Sequence, residues 1–157
     1  MLRDAAHRHL KSPEDSAALA RTIAGALKPG DTLLLEGPIG AGKTHFARSI
    51  IQSMLTDPED VPSPTFTLVQ TYETDAGEIW HLDLYRLTDP SELSELGLED
   101  ALEDAICIIE WPDRLGDDVP QNALRLTFAL DADPDARQLT ATAGAERWMS
   151  ILRQVND

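Results

Sequence analysis

The chain is short of cysteine and of positive charge and has no long apolar run, and each lack closes off a class of protein. Its single cysteine, Cys107, excludes an internal disulfide framework and fits a reducing compartment. The surroundings of that cysteine, "AICIIE", read as a buried strand rather than a reactive thiol. No run of about 18 apolar residues exists, so no membrane-spanning helix is expected. The leading stretch "MLRDAAHRHLKS" lacks the apolar centre of a secretion signal, and residues 1–11 are expected to be a loosely ordered leader. A soluble, cytoplasmic protein is the simplest expectation. With 13 basic against 28 acidic residues the net charge is −15, a surface that repels phosphate backbones. A direct, sequence-independent grip on nucleic acid is therefore not expected.

What is present is enough for one α/β domain over residues 1–157. "SPEDSAALARTIAGAL" opens with helix-start signals: Ser12 as N-cap, Pro13 at the first helical position, Glu14 and Asp15 in the first turn. "TLLLEG" has the continuous apolar character of a strand buried on both faces. "THFARSIIQSML" places Phe46, Ile50, Ile51 and Leu55 on one helical side. "TFTLVQTY" and "EIWHLDLY" read as strands of a hairpin turning through "ETDAG". "DPSELSELGLEDAL" predicts one or two short helices and "AICIIE" a central strand ending on an acid. "ALRLTFAL" alternates and is expected to run antiparallel at one side of the sheet, pairing with "RQLTATA". "GAERWMSILRQV" predicts a last helix. The fold class expected is a three-layer sandwich like that of the P-loop NTPases, a mixed and mostly parallel sheet between helices.

Between the first predicted strand and the helix after it lies "GPIGAGKTHF", which satisfies G-x-x-x-x-G-K-[ST] through Gly37, Gly42, Lys43 and Thr44. A phosphate needs a ring of inward-pointing backbone N–H groups with no side chains in the way. Gly37, Gly40 and Gly42 permit that path, and the helix starting near Lys43 adds its positive end. Lys43 is expected to reach the β- and γ-phosphates and Thr44 to offer its hydroxyl to Mg²⁺. The N-K-x-D string by which such folds read guanine is absent, which favours ATP.

Such a loop needs an acid at a neighbouring strand end to hold Mg²⁺. Glu110, ending "AICIIE" before Trp111 and Pro112, is favoured over Asp83, which ends "IWHLD". Asp83 then positions water or senses the γ-phosphate. In "VPSPTFTLVQTY" two prolines stiffen a loop that supplies the hydroxyls of Ser63, Thr65 and Thr67. A segment in this place commonly changes order with the γ-phosphate, although a rigid lead into a strand is an alternative.

Four ordered blocks, "GPIGAGKT", "SPTFTLVQTY", "HLDLYRL" and "IEWPDRL", make the chain resemble the TsaE (YjeE) family, bacterial ATPases needed to make threonylcarbamoyladenosine on tRNA. The resemblance runs from about Leu10 to Arg137. It implies that Gly37, Pro38, Ile39, Gly40, Ala41, Gly42, Lys43, Thr44 and His45 hold ATP or ADP, and that Thr44 and Glu110 hold the metal. Lys43, Asp83 and Thr65 would be the catalytic and nucleotide-responsive groups, with Trp111 a fluorescent reporter beside the metal acid. Ser12 and Arg137 are candidate base-side contacts. Family members act with TsaB and TsaD, which transfer the threonylcarbamoyl group to tRNA; ATP hydrolysis resets that assembly, so tRNA is met only through the complex. Two positions depart from the usual G-D-L-G-A-G-K-T-T: Pro38 replaces the acid and His45 the second threonine.

Other residues have milder readings. His81 could orient Asp83 or a water, or be structural. His7 and His9 do not make a metal site. Tyr85 and Arg86 could face a partner, and Arg86 or Arg114 could serve as an arginine finger. Trp80 and Trp148 read as core anchors. A small-molecule kinase and a nucleotide sensor with negligible turnover use the same loop and remain alternatives.

Overall fold

The computed structural model describes residues 5–57, 59–65 and 67–156. One seven-stranded sheet runs through it: β1 (Ala5–Leu10), β2 (Thr32–Glu36), β3 (Val69–Thr74), β4 (Gly77–Asp83), β5 (Ile106–Glu110), β6 (Leu124–Leu130) and β7 (Arg137–Ala143), in the order β1-β7-β6-β2-β5-β4-β3. The helices are α1 (Pro13–Ala24), α2 (Lys43–Met54), α3 (Ser91–Leu96), α4 (Leu98–Asp104) and α5 (Met149–Asn156).

Local chemistry sets these elements. Ser12 caps α1 by accepting from the Asp15 amide at 3.1 Å, with Pro13 in the first turn. Leu19, Ala20, Ile23 and Ala24 form its buried side, and Phe46, Ala47, Ile50 and Ile51 that of α2. With α5 they cover one face of the sheet, packing on Leu33, Leu35, Ile106 and Ile108. The opposite residues of the same strands, Leu34, Cys107 and Ile109, meet Leu93 of α3, Leu98 and Ala101 of α4, and Leu115. Side chains alternate across a strand, so β2 and β5, apolar on both faces over Leu33–Leu35 and Ile106–Ile109, are covered on both sides. The three-layer expectation is met.

Two expectations need correction, on residues 5–10 and on the start of β3, and the mixed character of the sheet takes definite form. Residues 5–10, expected to be a loose leader, form an edge strand antiparallel to β7. An edge strand with one covered face needs few apolar residues, and Ala6 and Leu10, both fully buried, suffice. Residues 1–4 of that expected leader lie outside the described residues. The sheet is parallel only at its centre, across β4-β5, β5-β2 and β2-β6; the pairings β1-β7, β7-β6 and β4-β3 are antiparallel. "ALRLTFAL" is thus a junction, parallel to β2 on one side and antiparallel to β7 on the other. Finally, β3 begins at Val69, after the stretch "SPT" that leads towards it. There the Leu68 amide bonds the Pro64 carbonyl at 2.8 Å, a turn that keeps Thr65 out of the ladder.

Candidate functional site

The strand order brings the carboxyl ends of β2, β5 and β4 side by side, facing the start of α2. In open α/β sheets such edges are where ligands bind. Here they border a cleft of about 460 Å³ lined by Ile39, Gly40, Gly42, Lys43, Thr44, His45, Thr65, Asp83, Tyr85, Arg86, Glu110 and Trp111. Most of the residues expected from sequence to act together are therefore neighbours in space.

The loop from β2 to α2 depends on glycine at defined points. Gly37, with φ +143°, lies so close to β6 that a Cβ would stand 2.5 Å from the Phe128 carbonyl oxygen. Gly40 turns at φ +81° in open space, and the Ala41 amide closes the turn onto the Pro38 carbonyl at 3.2 Å. Pro38, lacking an N–H, contributes this carbonyl instead. Ile39 points outward and is 69% exposed, while Ala41 is buried beneath the loop.

Lys43 folds back over this turn. Its Nζ donates to the carbonyls of Gly37 at 2.6 Å and Pro38 at 3.0 Å, and lies 4.0 Å from the centre of the Trp111 ring. Burial pushes the ammonium below the usual lysine range, and the carboxylates of Glu110 and Asp83 pull the other way. A cation so poorly hydrated is ready to exchange its carbonyl partners for a stronger anionic one. The ring beneath it belongs to a residue in the left-handed region, Trp111 at φ 60°, directly after the metal-candidate acid. Tyr85 packs against Trp111 with centroids 4.9 Å apart, and the Arg114 guanidinium lies 5.8 Å from the Tyr85 ring.

The acids are held just as specifically. Residues 79, 81 and 83 of β4 share a sheet face with 106, 108 and 110 of β5, in a register that sets Asp83 level with Glu110. Glu110, almost fully buried, accepts from the Thr44 hydroxyl at 2.7 Å through Oε1 and from His81 Nε2 at 2.7 Å through Oε2. Asp83 accepts from the Tyr85 amide through Oδ1 and from the Thr65 hydroxyl through Oδ2, each at 3.0 Å; Thr65 in turn bonds Ser63 at 2.7 Å. Among the described residues no three or more His, Cys, Asp or Glu side chains converge as a metal cage. Thr44 and Glu110 are hard oxygen donors of the kind Mg²⁺ accepts, and Mg²⁺ characteristically completes its shell with water and phosphate oxygens.

Other expected residues lie elsewhere. Ser12 is engaged in capping α1 and does not line the cleft, although His45 Nε2 ties the cleft to that helix by donating to the Pro13 carbonyl at 3.0 Å. Arg137 buttresses the loop from behind, donating to the Gly40 carbonyl at 3.1 Å and to the carbonyls of Pro134 and Ala136. Thr67 bonds Gln70 at 2.9 Å, away from Asp83. Arg86 lines the cleft and Arg114 does not. The contact least legible in the sequence is His81 with Glu110. The two-residue spacing in "HLD" put His81 and Asp83 on one face and suggested Asp83 as the partner, whereas the ring bonds Glu110 on the neighbouring strand.

With this geometry established, comparison with known proteins is informative. The family profile described as "Threonylcarbamoyl adenosine biosynthesis protein TsaE" matches residues 10–139. A Rickettsia felis protein named "tRNA threonylcarbamoyladenosine biosynthesis protein TsaE" is 47% identical over 102 residues, 65% of this chain and 60% of that one. The Bacillus subtilis protein of the same name is 34% identical over 92% of this chain and 90% of its own length. The crystal structure of Bacillus subtilis YdiB superimposes with a TM-score of 0.79 at 28% identity, covering 99% of this chain and 96% of that one.

Proposed function

This chain belongs to the TsaE family, and from that premise we propose that it is a Mg²⁺-dependent ATPase serving tRNA threonylcarbamoyladenosine biosynthesis in the cytoplasm. In this reading it acts as an accessory subunit whose ATP turnover resets a TsaB–TsaD transferase assembly. No helix among the described residues is long and apolar enough to cross a membrane.

The observation that carries the proposal is the bond between Thr44 and Glu110 at the head of α2, beside a buried ammonium. A hydroxyl and a carboxylate 2.7 Å apart at a helix N-terminus, next to Lys43, form a place for a cation and an anion together. Main-chain amides of the loop and the start of α2 would receive the phosphates, Lys43 would exchange the Gly37 and Pro38 carbonyls for them, and Thr44 and Glu110 would hold Mg²⁺. The ion would supply neutralisation of phosphate charge. In this reading Asp83, held at both oxygens, would orient the attacking water, and Thr65 would link its position to the segment before β3. The acidic surface suits docking onto a tRNA-modifying enzyme without gripping tRNA.

The test is phosphate release from ATP, measured alone and with TsaB and TsaD. Stimulation by the partners is the expected result. Transfer of the γ-phosphoryl to a small acceptor would replace this reading with a kinase, and tight nucleotide binding without turnover would replace it with a sensor.

A further inference from the structure

Resting on the reading that Mg²⁺ enters with the nucleotide, we infer that His81 is a positioning residue that fixes which oxygen of Glu110 meets the metal, and thereby selects Mg²⁺ over Ca²⁺. His81 has no exposed surface, and among the described residues the one polar contact of its ring is Nε2 donating to Glu110 Oε2 at 2.7 Å. The other ring nitrogen, Nδ1, is buried without a partner among the described residues. A buried polar atom left unpaired is destabilising, so packing alone gives no reason for an imidazole here. Its same-face neighbours Ile79, Ile106 and Ile108 are apolar and fill the sheet face without such a cost. What distinguishes histidine from another isoleucine at this position is the grip on Glu110.

That grip divides the carboxylate. Oε2 is held inside the sheet by His81, and Oε1 is turned to Thr44 at 2.7 Å. Mg²⁺ is small, demands near-octahedral geometry and uses carboxylates sparingly, whereas Ca²⁺ readily takes both oxygens of one carboxylate. With Oε2 occupied, Glu110 offers a single oxygen. Partners that orient a metal ligand in this way set its affinity for the ion.

The experiment compares wild type, His81→Leu and His81→Gln, the last keeping an N–H that can reach Oε2. Fluorescent mant-ADP binding is titrated with Mg²⁺, Ca²⁺ or excess EDTA, and Mn²⁺ binding in the presence of ADP is followed by electron paramagnetic resonance. The leucine variant should raise the Mg²⁺ and Mn²⁺ concentrations at half-saturation about 10–100-fold and narrow the Mg²⁺/Ca²⁺ discrimination, with metal-free nucleotide affinity changed less than about twofold. The glutamine variant should recover to within about threefold of wild type. Unchanged metal dependence in His81→Leu overturns the inference, as does an equal loss of affinity in EDTA, the sign of a merely structural role. Should His81→Leu fail to fold, His81→Asn, whose amide is too short to reach Oε2, takes its place against His81→Gln, and identical metal titrations for that pair overturn it. If wild type binds nucleotide without any metal effect, the metal reading of the site fails first and this inference with it. That outcome is distinct from a metal-dependent wild type matched by its variants.

Discussion

Replacing Gly37 with alanine tests how tightly the loop from β2 to α2 is built into the sheet. The new Cβ would stand 2.5 Å from the Phe128 carbonyl oxygen and 3.2 Å from Phe128 Cβ. Backbone lies on both sides of the contact, so no flexible side chain can yield. Overpacking of this kind costs about 1–3 kcal/mol. Holding alanine at φ +143° adds strain of a similar order, about 1–3 kcal/mol. One shift of the chain relieves part of both, so a total of about 2–4 kcal/mol is expected. For a domain of this size that lowers Tm by roughly 4–16 °C. Gly40→Ala is the control. It has positive φ but nothing within 4 Å, so only conformational strain of about 1–2 kcal/mol applies. The Gly37 carbonyl also anchors Lys43, so the shift that relieves the clash should weaken ATP binding at least about tenfold. Differential scanning calorimetry and mant-ATP titration read the two effects. If Gly37→Ala melted no lower than Gly40→Ala and bound ATP normally, the account of the loop as braced against β6 would be wrong.

Lys43→Met should lose most triphosphate affinity, at least about tenfold by calorimetric titration, because charge-assisted bonds contribute about 1.5–3 kcal/mol each; retained affinity would remove the lysine from the site. Glu110→Ala should abolish the Mg²⁺ dependence of hydrolysis and slow phosphate release by two orders of magnitude or about that; a normal rate and metal response would exclude Glu110 as the metal acid. Burial pushes the Cys107 thiol up from 9.0 to about 12. Its folded pKa is raised, so its contribution to stability is complete below pH 9.0 and lost as pH rises towards 12. Urea unfolding between those limits should steepen by up to about 1.4 kcal/mol per pH unit relative to Cys107→Ala, and equal slopes would contradict the burial argument. Under native conditions at neutral pH the same thiol should resist labelling, and prompt labelling would place it outside the core.

How much was legible in the chain differs by element. The loop was fully readable because its demands are local: glycines where φ is positive, a lysine and a threonine where a helix begins. The same holds for α1, whose cap, proline and acidic first turn were confirmed residue by residue. β1 was missed because polarity was taken as disorder, when an edge strand needs only two buried side chains in six. The antiparallel pairing of "ALRLTFAL" with "RQLTATA" was legible, but its parallel pairing with β2 was not, because alternation registers one exposed face and says nothing of which neighbour lies on each side. Ser12 and Arg137 were candidate base-side contacts on the strength of the family resemblance. In space one caps a helix and the other holds the loop from behind.

By itself, then, the sequence determined the pieces that depend on neighbouring residues: where helices start, where the backbone must turn, and which strand ends carry acids. Only the tertiary structure decided which pieces meet. It set β5 between β2 and β4, levelled Asp83 with Glu110, brought Glu110 to Thr44 across 66 positions and gave its second oxygen to His81. The physical reason is that strand order and register follow from covering two apolar faces at once, a condition on the whole sheet that no single stretch of residues contains.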